Sequence, residues 1–151
     1  MSAISLIAAL QASLIIGIAL AIGVRFPNPI MIAPIMVIVI LFSLGFSGIS
    51  VMIAATAKSQ ETFWGMINFL GMPLFMLSPA LFPLELLPNW LAVVAKLNPV
   101  TYTILLVREL MTGVSEGGIP ILLSLGVLIA FVLVMIGLAS YVFTREVNKP
   151  F

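Results

Sequence analysis

The residues of this 151-residue chain best suited to polar chemistry lie in one stretch, FPLELLPNWLAVVAKLNPVTYTILLVRELMTG at 82–113. It carries Glu85, Trp90, Lys96, Asn98, Tyr102, Arg108 and Glu109, set between long apolar runs. Arg108 either attracts an anionic substrate or headgroup, or anchors a short helix to headgroups or a backbone carbonyl, since long cations at membrane edges keep their charge in the polar layer. Arg108 and Glu109 are adjacent, so on a helix they point about 100° apart and each needs another partner. Glu85 falls in a proline-flanked loop, where it is solvated or faces a substrate path. Trp90 and Tyr102 suit the headgroup layer as belt anchors, or an external gate. Asn68, deep in an upstream apolar run, is an interhelical hydrogen-bonding amide or lines a path. With Asn98, these residues (Asn68, Glu85, Trp90, Tyr102 and Arg108) are the substrate-path candidates.

Composition restricts what that chemistry can be. Hydrophobic residues make up 63% of the chain and charged ones 7%, with a mean hydropathy of +1.34, which places it in lipid rather than among soluble domains. The net charge is +1 and the six cations are scattered, so no basic field for nucleic acid exists. There is no Cys and no His, and all five acidic residues are Glu. Thiolate sites, HExxH metal helices and Ser–His machinery therefore cannot be assembled, and an enzyme is not expected. No GxxxxGK[ST] phosphate loop is present either.

Four apolar runs, roughly 4–24, 30–57, 63–82 and 119–143, each reach the about 20 residues a bilayer crossing needs. The first lacks the basic start of a signal peptide and reads as a span. RFPNP at 25–29 makes a tight turn, and AKSQET at 57–62 makes a second hairpin with Lys58, Gln60 and Glu61 exposed. Pro73 and Pro79 bend or end the third run. Small residues recur at helical spacing as Ser43, Ser47, Ser50 and Ala54 in the second run and Gly126, Ala130, Gly137 and Ser140 in the fourth, which suits close helix packing.

Within 82–113, Pro88 suits the first turn of a helix ending near Leu97, and Asn98-Pro99 reads as an N-cap followed by an N1 proline. Gly113 then closes the second helix in a left-handed conformation. The two pieces reach only about 15 and 21 Å, so neither crosses alone. The expectation is an all-α polytopic membrane protein, a single domain over 1–151, with four transmembrane helices and a re-entrant broken helical pair before the last span. The rival is a straight fifth span through Pro99. Charge does not orient the chain, since Lys58, Arg145 and Lys149 on one side balance Arg25, Lys96 and Arg108 on the other.

Three segments of residues 60–113 resemble the membrane subunits of type 2 ATP-binding-cassette exporters. Pro73, Leu77-Ser78 and Phe82-Pro83-Leu84 look like the family's proline-containing fifth helix and exit motif; Leu87-Pro88-Asn89-Trp90-Leu91 is similar to its LPxWL turn; and Asn98-Pro99-Val100-Thr101-Tyr102 with Arg108 looks like its NPLTY…R segment. The resemblance implies that the four runs are helices three to six, with both termini cytoplasmic in the plasma membrane. It also implies a second permease copy as dimer partner and a separate nucleotide-binding ATPase subunit, for which Lys58, Gln60 and Glu61 are the contact candidates against the alternative of a plain solvated hairpin. No cofactor is expected in this chain, ATP and Mg belonging to that partner. The implied function is ATP-driven export of an amphiphilic drug, lipid or polysaccharide-type substrate, against the alternatives of a small oligomeric channel or holin-like pore and a non-transporting structural subunit. The family commonly has Gly after the exit-motif Ser and Asp three residues before the Arg, where this chain has Pro79 and Leu105. An upstream interfacial helix, two spans and a coupling helix are expected of a complete subunit, and this chain looks like the C-terminal portion.

Overall fold

The computed structural model describes residues 2–21, 29–81, 83–115 and 118–147. Six helices run in order: α1 Ser2–Ala21, α2 Ile32–Thr56, α3 Gln60–Met76, α4 Asn89–Leu97, α5 Pro99–Thr112 and α6 Ile121–Val147. Short 3-10 turns at Pro29–Met31 and Leu84–Leu86 precede α2 and α4. No strand occurs among the described residues. Residues 25–28 of the expected first turn, Phe82 and Gly117 lie outside the described residues.

Among the described residues two helices, α2 and α6, are long and apolar enough to cross a membrane, at 25 residues each over Ile32–Thr56 and Ile121–Arg145. The bent pair α4–α5 would make a third if it were one span. α1 contains a shorter apolar helix, Leu6–Ile18, and α3 has 17 residues. The third apolar run extends to about 82 in sequence, yet its helix stops at Met76. The reason is local: Pro73 removes the N–H that would bond the Phe69 carbonyl, and Pro79 removes another within the following turn.

α2 is the hub and packs against α1, α3, α5 and α6. Its seam with α6 is tight because Gly48 lets the backbones meet: a Cβ there would lie 2.8 Å from the Met135 carbonyl oxygen. Around it, Ile38 of α2, Leu106 of α5 and Leu128 and Val132 of α6 form the main apolar core. Phe42, Phe46 and Phe131 cluster beside it with ring centroids 4.9 to 6.4 Å apart. The serines on α2 are satisfied within their own helix, Ser43 Oγ donating to the Ile40 carbonyl and Ser47 Oγ to the Leu44 carbonyl, each at 2.8 Å. A hydroxyl in an apolar seam must find such an acceptor.

The small-residue stripe expected on α6 is not the face that packs. Gly126, Ala130, Gly137 and Ser140 all lie on the outer surface, while Ser124, Leu128, Val132 and Ala139 are buried. Both sets have helical spacing, so periodicity alone could not choose between them. The buried set wins because Leu128 and Val132 pack with Ile38 and Leu106 in the core, and Phe131 and Val132 fill the space beside Gly45.

Candidate functional site

α4 and α5 meet at an angle of 91° across Asn98, which excludes one straight span through Pro99. The corner follows from the local sequence. Proline disfavours helical geometry in the residue before it, and Asn98 is extended at φ −88° and ψ 120°. Its Oδ1 accepts from the Val100 N–H at 3.0 Å, capping α5, with Pro99 at the first helical position. Pro88 sits just ahead of α4 as its N-cap residue, one position earlier than the sequence suggested. Gly113, at φ 73°, ends α5 as expected.

The corner is closed from inside. Thr101 is fully buried, and its Oγ1 donates to the Ala95 carbonyl at 2.6 Å. Tyr102 is half-buried and its hydroxyl donates to the Lys96 carbonyl at 2.7 Å. Two hydroxyls from α5 thus bond carbonyls in the last turn of α4, where the Ala95 carbonyl also accepts from the Asn98 N–H at 3.1 Å. Leu84, Ala95 and Leu105 form a small apolar core under the bend.

The C-terminal end of α3 is tied to the same helix. Asn98 Nδ2 donates to the Leu74 carbonyl at 2.6 Å, and Arg108 donates to the Pro79 carbonyl at 3.0 Å. Ser78 and Pro79 are buried between these two contacts. Ser78 Oγ donates to the Phe75 carbonyl at 2.6 Å. Asn98, Tyr102 and Arg108 are therefore brought together on α5, each bonded to a carbonyl of a neighbouring segment.

The remaining path candidates stand on other elements. Asn68 is on the outer face of α3, where its Nδ2 donates to the Trp64 carbonyl at 2.9 Å. With Phe69, Met72, Pro73, Met76 and Leu77, and with Leu91 from α4, it lines an apolar groove of about 660 Å³. Glu85 is exposed on the turn before α4. Trp90, in the first turn of α4, is 70% exposed. On the α2–α3 hairpin, Lys58 and Gln60 border a cavity of about 380 Å³ with Phe63 and Trp64. Glu61 is exposed in the first turn of α3, whose N-cap is Ser59, accepting from the Thr62 N–H at 3.1 Å. Among the described residues, no group of three or more carboxylates could hold a metal ion.

Residues 1–112 match the family described as ABC-2 type transporter. The chain belongs to that family. A relative in Cyanophora paradoxa, named as a transport permease, ycf38, is 29% identical over 107 residues, which cover 71% of this chain and 37% of the relative. This ABC-2 chain thus spans little more than a third of the length of that relative. No solved structure matches it.

The two departures from the family pattern acquire a physical account in this ABC-2 protein. Leu105, where an acid is common, is buried in the apolar core beneath the bend, and Arg108 reaches the carbonyl of Pro79. Glu109 is bonded instead by the Ser115 hydroxyl, so the two adjacent charges use separate partners. Thr101, named above only as part of the Asn98–Tyr102 motif, and Ser115 both bond functional neighbours in the structure. A hydroxyl two residues beyond an N1 proline was the available signal for Thr101; Ser115 offered none, because its contact depends on the turn at Gly113.

Proposed function

We propose that this chain forms the permease part of an ATP-driven exporter in the plasma membrane, with four spans, a re-entrant α4–α5 pair on the outer side and both termini in the cytoplasm. A separate ATPase subunit supplies ATP and Mg, and a second permease copy completes the path. Lys58, Gln60 and Glu61 on the α2–α3 hairpin face the ATPase. Nucleotide-driven closure below rocks the two permeases, and an amphiphilic substrate leaves past Asn68, Glu85, Trp90, Asn98, Tyr102 and Arg108.

The observation that carries this reading is the 91° corner between two short helices, held to the end of the proline-interrupted α3. Irregular backbone at membrane depth is tolerated where protein surrounds it or where it lines a cavity, and the groove beside Pro73 supplies such a cavity. The groove is lined by apolar side chains apart from Asn68, which suits a lipid-like cargo better than a hydrated ion.

Two measurements test the reading. The chain has no native cysteine, so single cysteines at Leu86 and Ser115 can be labelled cleanly in sealed vesicles; both are expected to react from the same, outer side. Reaction from opposite compartments rejects the re-entrant geometry. In mild detergent, a polypeptide carrying a phosphate-binding loop is expected to co-purify and to lose its association when Lys58, Gln60 and Glu61 are changed to Ala. Conductance by the purified chain without an ATPase would favour a pore instead.

A further inference from the structure

The amide of Asn98 joins two helix ends of opposite polarity. Its Oδ1 accepts from the Val100 N–H at the start of α5, and its Nδ2 donates to the Leu74 carbonyl in the last turn of α3. That carbonyl would ordinarily accept from the N–H four residues on, but the Ser78 N–H bonds the Phe75 carbonyl at 3.2 Å instead. A carbonyl near a helix C-terminus is therefore satisfied by a side chain 24 residues away. Asn98 is only 5% exposed, so water does not compete freely for either contact.

The rest of α3 gives this contact its weight. No residue of α3 itself is buried, and its C-terminal end is held through Asn98 on the Leu74 carbonyl, with Arg108 on the Pro79 carbonyl and the buried Ser78 and Pro79 just beyond it. α5, by contrast, buries Val100, Thr101, Thr103, Leu105 and Leu106 and is fixed to the α2–α6 core. The groove between α3 and α4 has Met76 and Leu77 on one wall and Leu91 on the other. Its width follows from where the end of α3 is held.

We propose that Asn98 is a positioning residue, which latches the C-terminal end of α3 to the corner and so sets the width of the apolar groove between α3 and α4. The proposal deepens the export reading, on which it rests for the use of the groove; the latch is tested without transport.

The variants Asn98→Asp and Asn98→Ser separate the two roles of the amide. Both side chains cap a helix as well as Asn does, so α5 keeps its N-cap. Ionised Asp offers no donor to the Leu74 carbonyl whereas protonated Asp does, and the Ser hydroxyl is too short to reach it, so N98S removes the latch in either case. In membranes holding the full chain, Leu77→Cys and Leu91→Cys across the groove are joined by a short bifunctional thiol reagent. The equilibrium between the held and released end of α3 is expected to shift about threefold to tenfold towards release when the donor is lost, the change that one hydrogen bond allows, and the cross-linking rate and yield to fall with it. Yields equal to those of the unaltered amide in both variants overturn the latch and leave Asn98 a helix cap. Should N98D fail to accumulate, N98S carries the same comparison. A reduced yield together with failure to find any ATPase partner keeps the latch and rejects the export reading; an ATPase partner with unchanged yields does the reverse.

Discussion

Gly48→Ala tests the seam on which the whole arrangement is built. A Cβ at this position would lie 2.8 Å from the Met135 carbonyl oxygen, 3.0 Å from its carbon and 3.1 Å from its Cβ, whereas ordinary contact begins at 3.4 Å. The obstacle is backbone, which cannot swing away as a side-chain tip does, so α2 and α6 must separate by several tenths of an ångström. Overpacking of this kind costs about 1–3 kcal/mol. Helix propensity acts the other way, since Ala exceeds Gly by about 1 kcal/mol within a helix. Gly137→Ala on α6 isolates the two effects, because nothing lies within 4 Å of the added methyl there. It gains the propensity term without the clash. The two single variants are therefore expected to differ by about 1–3 kcal/mol, with G48A the less stable. For a chain of this size that separates their melting temperatures by about 2–12 °C, read by thermal unfolding of both proteins in one detergent. G48A melting with or above G137A would refute the close approach of α2 and α6.

Leu106→Ala removes a side chain 1% exposed from the core shared by α2, α5 and α6 and is expected to cost about 2–5 kcal/mol. Leu122→Ala, at 78% exposure, is expected to change the same denaturation midpoint little. Thr101→Val keeps the shape but removes one of two donors to the Ala95 carbonyl, the Asn98 N–H remaining, with an expected loss of about 1 kcal/mol and faster hydrogen exchange at the end of α4. Gly113→Ala forces a Cβ into a left-handed conformation at φ 73°, expected to cost about 1–2 kcal/mol and to loosen the turn that holds Ser115 against Glu109, seen as increased proteolysis between α5 and α6.

Much of the candidate site was legible in the chain. Asn98-Pro99 and Gly113 announced the ends of α5 because capping chemistry is local: an amide acceptor, a missing N–H and a residue without Cβ act on their immediate neighbours. Expecting separate partners for Arg108 and Glu109 was equally local, a matter of the angle between adjacent helical side chains. Which carbonyl Arg108 would find was not legible. Pro79 lies 29 residues away, and only the turn after α3 brings it near.

The sequence by itself determined that this is a helical membrane chain, because apolar content, run length and the absence of imidazole and thiol act through transfer free energy and chemical inventory rather than through geometry. It also determined where helices begin and end around 88–113, where prolines and glycine set backbone conformation residue by residue. Tertiary structure alone decided which of two equally spaced faces of α6 meets α2, since that choice depends on Phe131 and Val132 lying opposite Gly45 and on Met135 lying opposite Gly48. It also decided the partner of the Leu74 carbonyl. A hydrogen bond spanning 24 residues follows from how α3 and α5 are placed by everything between them, which no local rule reports.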